Sequence, residues 1–119
     1  MAEWLKRFRR APSTKVRSAQ LRTLADLARR ISELFRDHGD SRWADQYVAL
    51  ADESDRLLRH GFTQRDLTEL STMEPGRPEW LSPRYADFNG VREPWQEEVA
   101  LLDPACRRAA LELRVLRDA

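Results

Sequence analysis

The chain has 119 residues, of which 34% are charged and 41% hydrophobic, and its formal net charge is +1. This length fits one domain, since domains typically contain about 100–150 residues. The composition disfavours disorder, and a membrane-spanning segment is not expected because no apolar run approaches the ~20 residues that a span requires.

The charge is distributed unevenly along the chain. Residues 1–30 contain nine Lys and Arg residues and two acidic residues, a balance of +7, so the other 89 residues sum to −6. A basic end on an acidic body is compatible with an anionic partner, and equally with self-complementarity. Because Cys106 is the single cysteine, no intramolecular disulfide can form, and we expect a reducing, cytoplasmic location.

Residues 1–12 form a basic amphipathic N-terminal segment in which Trp4, Leu5 and Phe8 share one helical face. Pro12 ends the segment. It lacks the apolar core of a secretory signal, and we expect it to pack on the body or to fray in solution rather than to lie on a membrane surface. Residues 13–119 are predicted to form one helical bundle domain.

The first long helix should begin at Ser13 or Thr14. His38-Gly39 should end it, because glycine readily adopts the left-handed conformation at a helix C-terminus. Apolar residues recur at steps of three and four, which places them on one face of the helix: Leu21, Leu24, Ala28, Ile31 and Phe35.

The second helix repeats this plan. Asp40 or Ser41 can cap its start, and His60-Gly61 should end it. Both histidines are placed to complement a helix dipole, and they lack the neighbouring ligands that would indicate a metal site. The inner row consists of Trp43, Tyr47, Leu50, Ser54 and Leu57.

The third helix is short and is marked by its N-terminal cap. Thr63 and Asp66 have the spacing of a capping box, in which each side chain binds the backbone N–H of the other residue. The helix should fade near Met73, before Pro75.

The last helix should begin near Pro94, since proline suits the first turn of a helix. Pro104 interrupts its apolar row without changing the phase, which predicts a kink, or two nearly collinear helices with Asp103 capping the second. Cys106 lies on the inner row and is expected to be a buried structural thiol. The row comprises Trp95, Val99, Leu102, Cys106, Ala109, Leu113 and Leu116.

No strand pattern is present, so the sequence predicts an all-α, single-domain bundle of four main helices. An enzyme of this size would need a nucleophile with a base, paired carboxylates or a metal cluster. The chain has no Glu-x-x-His pair, Gly-rich phosphate loop or Cys-x-x-Cys motif, and we expect neither catalysis nor a cofactor or metal.

Residues 56–73 resemble the helix-turn-helix repressors, in which the second helix enters the DNA major groove. Leu57 stands where that pattern requires a small residue. The helix that would enter the groove carries two acidic residues, Asp66 and Glu69, and one basic residue, Arg65. Its net negative charge is unfavourable for contacts with phosphate groups. A nucleic-acid partner is therefore disfavoured.

A long loop precedes the last helix, and residues 74–95 contain four of the six prolines and four aromatic residues. Loops of this length are usually functional or tied down. Two interpretations remain open: Trp80 closes the end of the bundle while Tyr85 and Phe88 pin the return to the last helix, or these rings contact a partner. The candidate partner-binding residues are Arg77, Trp80, Arg84, Tyr85, Asp87 and Phe88.

The run HGDSRWADQYVALADESDRLL, with Trp-Ala opening a helix after a helix-ending glycine, is similar to an uncharacterised family of small bacterial all-helical proteins. The likeness extends over residues 31–115. That family carries a glycine-rich segment in the late loop, where this chain has EPGRPEWLSPRYADFNG. Small cytoplasmic bacterial proteins of this kind include immunity proteins, so the resemblance implies a protein that binds and blocks a toxin.

The sequence therefore favours a non-catalytic protein-binding module, an immunity protein or stoichiometric inhibitor that acts through residues 74–95, with the acidic body steering a basic partner. The alternative is a nucleic-acid-associated regulator that uses residues 56–73 and the basic N-terminus. A homodimer through the apolar N-terminal face is a further alternative.

Overall fold

The computed structural model describes residues 13–82 and 91–114. These residues form α1 (Thr14–Asp37), α2 (Ser41–His60), α3 (Gln64–Leu70) and α4 (Pro94–Arg114), with a 3₁₀ turn at Glu79–Leu81. No strand occurs in these two ranges, and the predicted all-α bundle of four main helices is confirmed. The prediction for the N-terminal segment falls on residues 1–12, outside the described residues.

The predicted ends of α1 are confirmed. The Ser13 hydroxyl accepts a hydrogen bond of 3.2 Å from the backbone N–H of Val16, which satisfies one of the free donors of the first turn. After Asp37 the chain turns through Gly39, whose φ is +79°. This conformation strains residues that carry a Cβ atom, so glycine fixes the point at which α1 ends.

Helices α3 and α4 also begin as the sequence signals predict. The capping box of α3 is complete, since Thr63 N donates to Asp66 Oδ2 at 2.8 Å and Asp66 N donates to Thr63 Oγ1 at 3.1 Å. Helix α4 begins at Pro94 as expected. Asp40 is the N-cap residue of α2 but makes no capping hydrogen bond through its side chain.

Helix α1 is the centre of the bundle. Both α2 and α4 pack along it, whereas no Cα atom of α2 lies within 8 Å of one in α4. The predicted inner row of α1 is buried throughout, and the row of α2 is buried except for the half-buried Trp43. The gap that α1 leaves between the backbones of α2 and α4 must be filled by side chains and by other parts of the chain.

Helix α4 corrects one prediction. It runs as a single helix through Pro104, so Asp103 does not cap a second helix; it is 2% exposed and lies in the interior. Pro104 removes one backbone donor on the exposed side of α4, where water can bind the freed carbonyl. Cys106 is 1% exposed, which confirms the predicted buried thiol.

The buried Arg17 ties the end of the bundle together. Its guanidinium donates to the Glu112 carbonyl oxygen of α4 at 2.9 Å and to Gln64 Oε1 of α3 at 3.0 Å. The Gln64 amide in turn donates to the Leu113 carbonyl oxygen at 2.7 Å. These bonds fix α3 against the C-terminal turns of α4.

Candidate functional site

Residues 72–82, here called the strap, run between α2 and α4. On the α2 side, the backbone N–H of Gly76 donates to Gln46 Oε1 at 2.6 Å. A Cβ atom on residue 76 would lie 2.8 Å from Trp43 Cζ3, so only glycine permits this close approach. On the α4 side, Arg107 Nη2 donates to the Pro75 carbonyl oxygen at 2.8 Å. The strap thus bridges two helices whose backbones do not approach each other closely.

A buried carboxylate, Asp103, joins the strap to both helices. It accepts a hydrogen bond from the Tyr47 hydroxyl at 2.5 Å and from Arg107 Nε at 2.9 Å. Arg77 Nε, on the strap, lies 3.3 Å from its Oδ2 atom. Only 3% of the Asp103 side chain is exposed, against 45% of Arg77. Buried charges require such pairing, so the strap completes the environment of Asp103.

The electrostatics of this cluster are those of a structural network. Burial, together with the hydrogen bond to Asp103, raises the pKa of the Tyr47 hydroxyl far above its ordinary value. Burial alone would lower the pKa of Arg107, but the hydrogen bond and the charge of Asp103 outweigh it and raise that pKa. Tyr47 therefore stays neutral and Arg107 stays charged around neutral pH.

Trp80 lies in an aromatic cluster at one end of the bundle. Its ring centroid is 5.8 Å from that of Phe35 and 5.3 Å from that of Trp95. His38 stacks on the Trp95 indole at 4.4 Å, with an interplanar angle of 10°. Trp80 is half-buried against the core. These contacts are the ones expected if Trp80 closes the end of the bundle, and they leave part of its ring accessible.

Arg92 links the end of the strap to the start of α4. Its Nε donates to the Trp80 carbonyl oxygen at 2.8 Å and its Nη2 to the Ser82 carbonyl oxygen at 2.9 Å. A carboxylate of α4, Glu97, lies 3.6 Å from Nη1. A single side chain therefore ties the backbone at Trp80 and Ser82 to the segment that precedes α4.

The structure places two of the six predicted contact residues. Arg77 covers the buried carboxylate, and Trp80 packs on the core. The other four lie outside the described residues: Arg84, Tyr85, Asp87 and Phe88. Sequence reasoning missed Asp103, Arg107 and Arg92 as parts of this region. The spacing of four between Asp103 and Arg107 signals a helical ion pair, but nothing local links Asp103 to Tyr47.

Among the described residues, the cavity beside this network is small. A cavity of about 10 Å³ lies between Tyr47, Ser71, Cys106 and Arg107, enough for roughly one water molecule. Burial raises the pKa of the Cys106 thiol to about 12, so its reactive thiolate is suppressed at neutral pH. Among the described residues, no group of three or more His, Cys, Asp and Glu side chains could hold a metal ion.

Helix α3 presents an acidic surface. It contains seven residues, with Arg65 paired to Glu69 at 3.2 Å and Asp66 occupied in the capping box. Between α2 and α3 lies a cleft of about 250 Å³. Its polar lining residues are Glu53, Arg56, Asp66 and Glu69. The charges of these four side chains sum to −2, which is unfavourable for contact with a phosphate backbone at this cleft.

Comparison with known protein families, with curated proteins and with solved structures finds no match. No helix in residues 13–82 and 91–114 has the length and apolar character needed to cross a bilayer.

Proposed function

We propose that the chain is a non-catalytic protein-binding module, an immunity protein or stoichiometric inhibitor that acts through the surface of residues 74–95. The proposal is for a cytoplasmic bacterial protein, since its single cysteine favours a reducing compartment. Its contact residues are those proposed from the sequence: Arg77, Trp80, Arg84, Tyr85, Asp87 and Phe88.

The observation that carries the proposal is the anchoring of the strap. Arg92 holds the carbonyl groups of Trp80 and Ser82, and the strap is bonded to Gln46 on one side and to Arg107 on the other. A strap held in one conformation before binding loses less entropy when a partner docks. Such pre-organisation is typical of inhibitors that bind without remodelling.

The residue types of the loop support the same proposal. Tyr, Trp and Arg are enriched at energetic hot spots, because they bury much area and retain a polar handle. Arg77 is on the strap and 45% of its side chain is exposed, and Trp80 is partly exposed. The net negative charge of the chain beyond residue 30 would speed association with a basic partner.

The test is an affinity capture from the lysate of the native host, followed by reconstitution with the purified captured protein. Wild type is compared with Tyr85→Ala/Phe88→Ala, and a matched control, Arg65→Ala/Thr68→Ala, alters the surface of α3. Thermal melts of all three proteins accompany the capture. We expect one protein to bind wild type and the control in a fixed ratio, and to bind the loop variant at least about tenfold more weakly.

Three outcomes would contradict the proposal. The loop variant could bind the captured protein as well as wild type does. The α3 control could lose binding as well, which would place the contact on another surface. A loss of binding accompanied by a collapse of the melting transition would assign Tyr85 and Phe88 to the folded core.

A further inference from the structure

The solvent-facing side of α4 carries a second regular row of residues. Opposite the inner row, residues recur at steps of three, four, three, four and three, which is the a/d spacing of a coiled-coil seam. At about 100° per residue they fall within an arc of about 100°. The row consists of Pro94, Glu97, Leu101, Pro104, Arg108 and Leu111, all of them exposed.

Two of these residues are large apolar side chains in water. Leu101 is 76% exposed and Leu111 is 47% exposed. Arg108 makes no hydrogen bond or ion pair with another residue in the described part of the chain. The inner face of α4 already packs on α1, so this second row lies outside that contact, although Leu111 also lines the small cavity beside Tyr47 and Cys106.

The row is complementary to the same row of a second copy when the two helices are antiparallel. In an antiparallel pair of helices, each a position meets a d position of the partner. Placing the two-fold axis between Leu101 and Pro104 brings Glu97 opposite Arg108 of the second copy, and Leu101 opposite its Pro104. Because the axis is two-fold, each contact occurs twice.

The outermost layer fits the same register, since Pro94 then lies opposite Leu111 of the second copy. In this register the row forms three kinds of residue pair across the axis, two of them apolar and one of opposite charge, and all three are favourable. Shifting the partner by one heptad would put Glu97 opposite Leu101 in one direction, or Arg108 opposite Pro104 in the other. Either shift would leave the charges without a partner.

We propose that this face of α4 binds a second copy of the chain, forming an antiparallel, two-fold symmetric helix pair centred between Leu101 and Pro104. The charge complementarity of Glu97 and Arg108 selects this occupant over an unrelated apolar partner. The inference is independent of the proposed function, because it uses neither the strap nor residues 83–90.

The dimer should be weak. A seam of one helix from each copy buries less than the roughly 1,200 Å² of a stable interface, and half of its apolar positions are prolines. Glu97 is also shared with Arg92, at 3.6 Å. Association should therefore appear as concentration increases, with a dissociation constant in the micromolar to sub-millimolar range.

The experiment is sedimentation equilibrium of the purified full chain, from low micromolar to several hundred micromolar, on wild type and two charge reversals. Glu97→Arg places two arginines opposite each other at both symmetric contacts, and Arg108→Glu does the same with two glutamates. We expect each variant alone to associate at least about tenfold more weakly than wild type, since like charges across an interface are strongly unfavourable.

The decisive sample is an equimolar mixture of the two variants. In the mixed pair, the introduced arginine of one copy faces the introduced glutamate of the other, and the native Arg108 of the first copy faces the native Glu97 of the second. Both contacts join opposite charges, so the heterodimer should form about as strongly as the wild-type dimer. Arg22→Glu, on the exposed face of α1, serves as a matched charge reversal outside the row and should leave association unchanged. Far-UV circular dichroism melts verify that each variant is folded.

Four results would overturn the proposal. Wild type could remain monomeric at the highest concentration. Both reversals could dimerise as well as wild type, which would place the interface elsewhere, for example on the N-terminal segment. The mixture of variants could fail to restore association, which would refute the register. Arg22→Glu could weaken association as much as the other reversals, which would show that the change in net charge, and not the contact between Glu97 and Arg108, causes the weaker association.

Discussion

Replacing Asp103 by alanine tests the central claim that the strap, α2 and α4 meet at one buried carboxylate. The substitution removes the acceptor of the Tyr47 hydroxyl, at 2.5 Å, and of Arg107 Nε, at 2.9 Å. It leaves a buried phenol without its acceptor and a mostly buried guanidinium, of which 18% is exposed, without its counter-ion. We expect the free energy of unfolding to fall substantially.

The magnitude follows from the burial of the three partners. Removing one member of a buried ion pair typically costs about 3–5 kcal/mol. The ion pair with Arg77 adds little, because 45% of that side chain is exposed and water screens it. Arg107 keeps its bond to the Pro75 carbonyl oxygen, which lowers the expected cost to about 3 kcal/mol, or about 10 °C in the melting temperature.

The assay is urea unfolding followed by far-UV circular dichroism, with the exposed pair of Arg36 and Asp45 as the internal standard. Asp45 is 74% exposed and lies 3.5 Å from Arg36, so Asp45→Ala should change the free energy of unfolding by less than about 0.5 kcal/mol. The double variant Asp103→Leu/Arg107→Met removes both charges and should recover part of the loss. Equal costs for Asp103→Ala and Asp45→Ala would refute the buried network.

Three further predictions concern single contacts. Gly76→Ala sets a Cβ atom 2.8 Å from the Trp43 ring and should cost about 1–2 kcal/mol in urea unfolding; a similar cost in a Trp43→Leu background would contradict the steric reason. Burial raises the pKa of the Cys106 thiol from its ordinary 9.0 to about 12, so above pH 9 the unfolded chain loses this proton while the folded chain keeps it. The free energy of unfolding should therefore be unaffected by Cys106 below pH 9 and should fall by about 1.4 kcal/mol per pH unit between pH 9 and about 12. The difference between the pH profiles of wild type and Cys106→Ala measures this, and parallel profiles would refute it. Thr63→Ala should cost about 1 kcal/mol by removing the α3 cap, whereas Thr63→Ser should retain most of the stability.

The helices could be predicted from sequence because their signals are local. The hydroxyl of Ser13, the turn at Gly39 and the capping box of Thr63 each act within four residues. The periodic apolar rows then determine which face of each helix is buried. These signals place α1 to α4 within a few residues of their observed ends.

The polar network could not be predicted, because its partners are distant in sequence. Tyr47 and Asp103 are 56 residues apart, and an aspartate before Pro104 has the local pattern of a helix cap. Only the packing of α2 and α4 along α1 brings the phenol and the carboxylate together. His38 gives a second case: its position favours a dipole interaction, and only the tertiary fold stacks it on Trp95.

The strap can both stabilise the fold and contact a partner. A substitution at Arg77 distinguishes these two roles. Asp103 is already neutralised by Arg107, so losing the half-exposed Arg77 should cost less than about 1 kcal/mol of stability. If the strap contacts a partner as proposed, Arg77→Ala should nevertheless weaken that binding measurably, because the exposed part of the guanidinium faces solvent. A large loss of stability would instead show that Arg77 acts mainly as a second counter-ion of Asp103, and the contact surface would then exclude it.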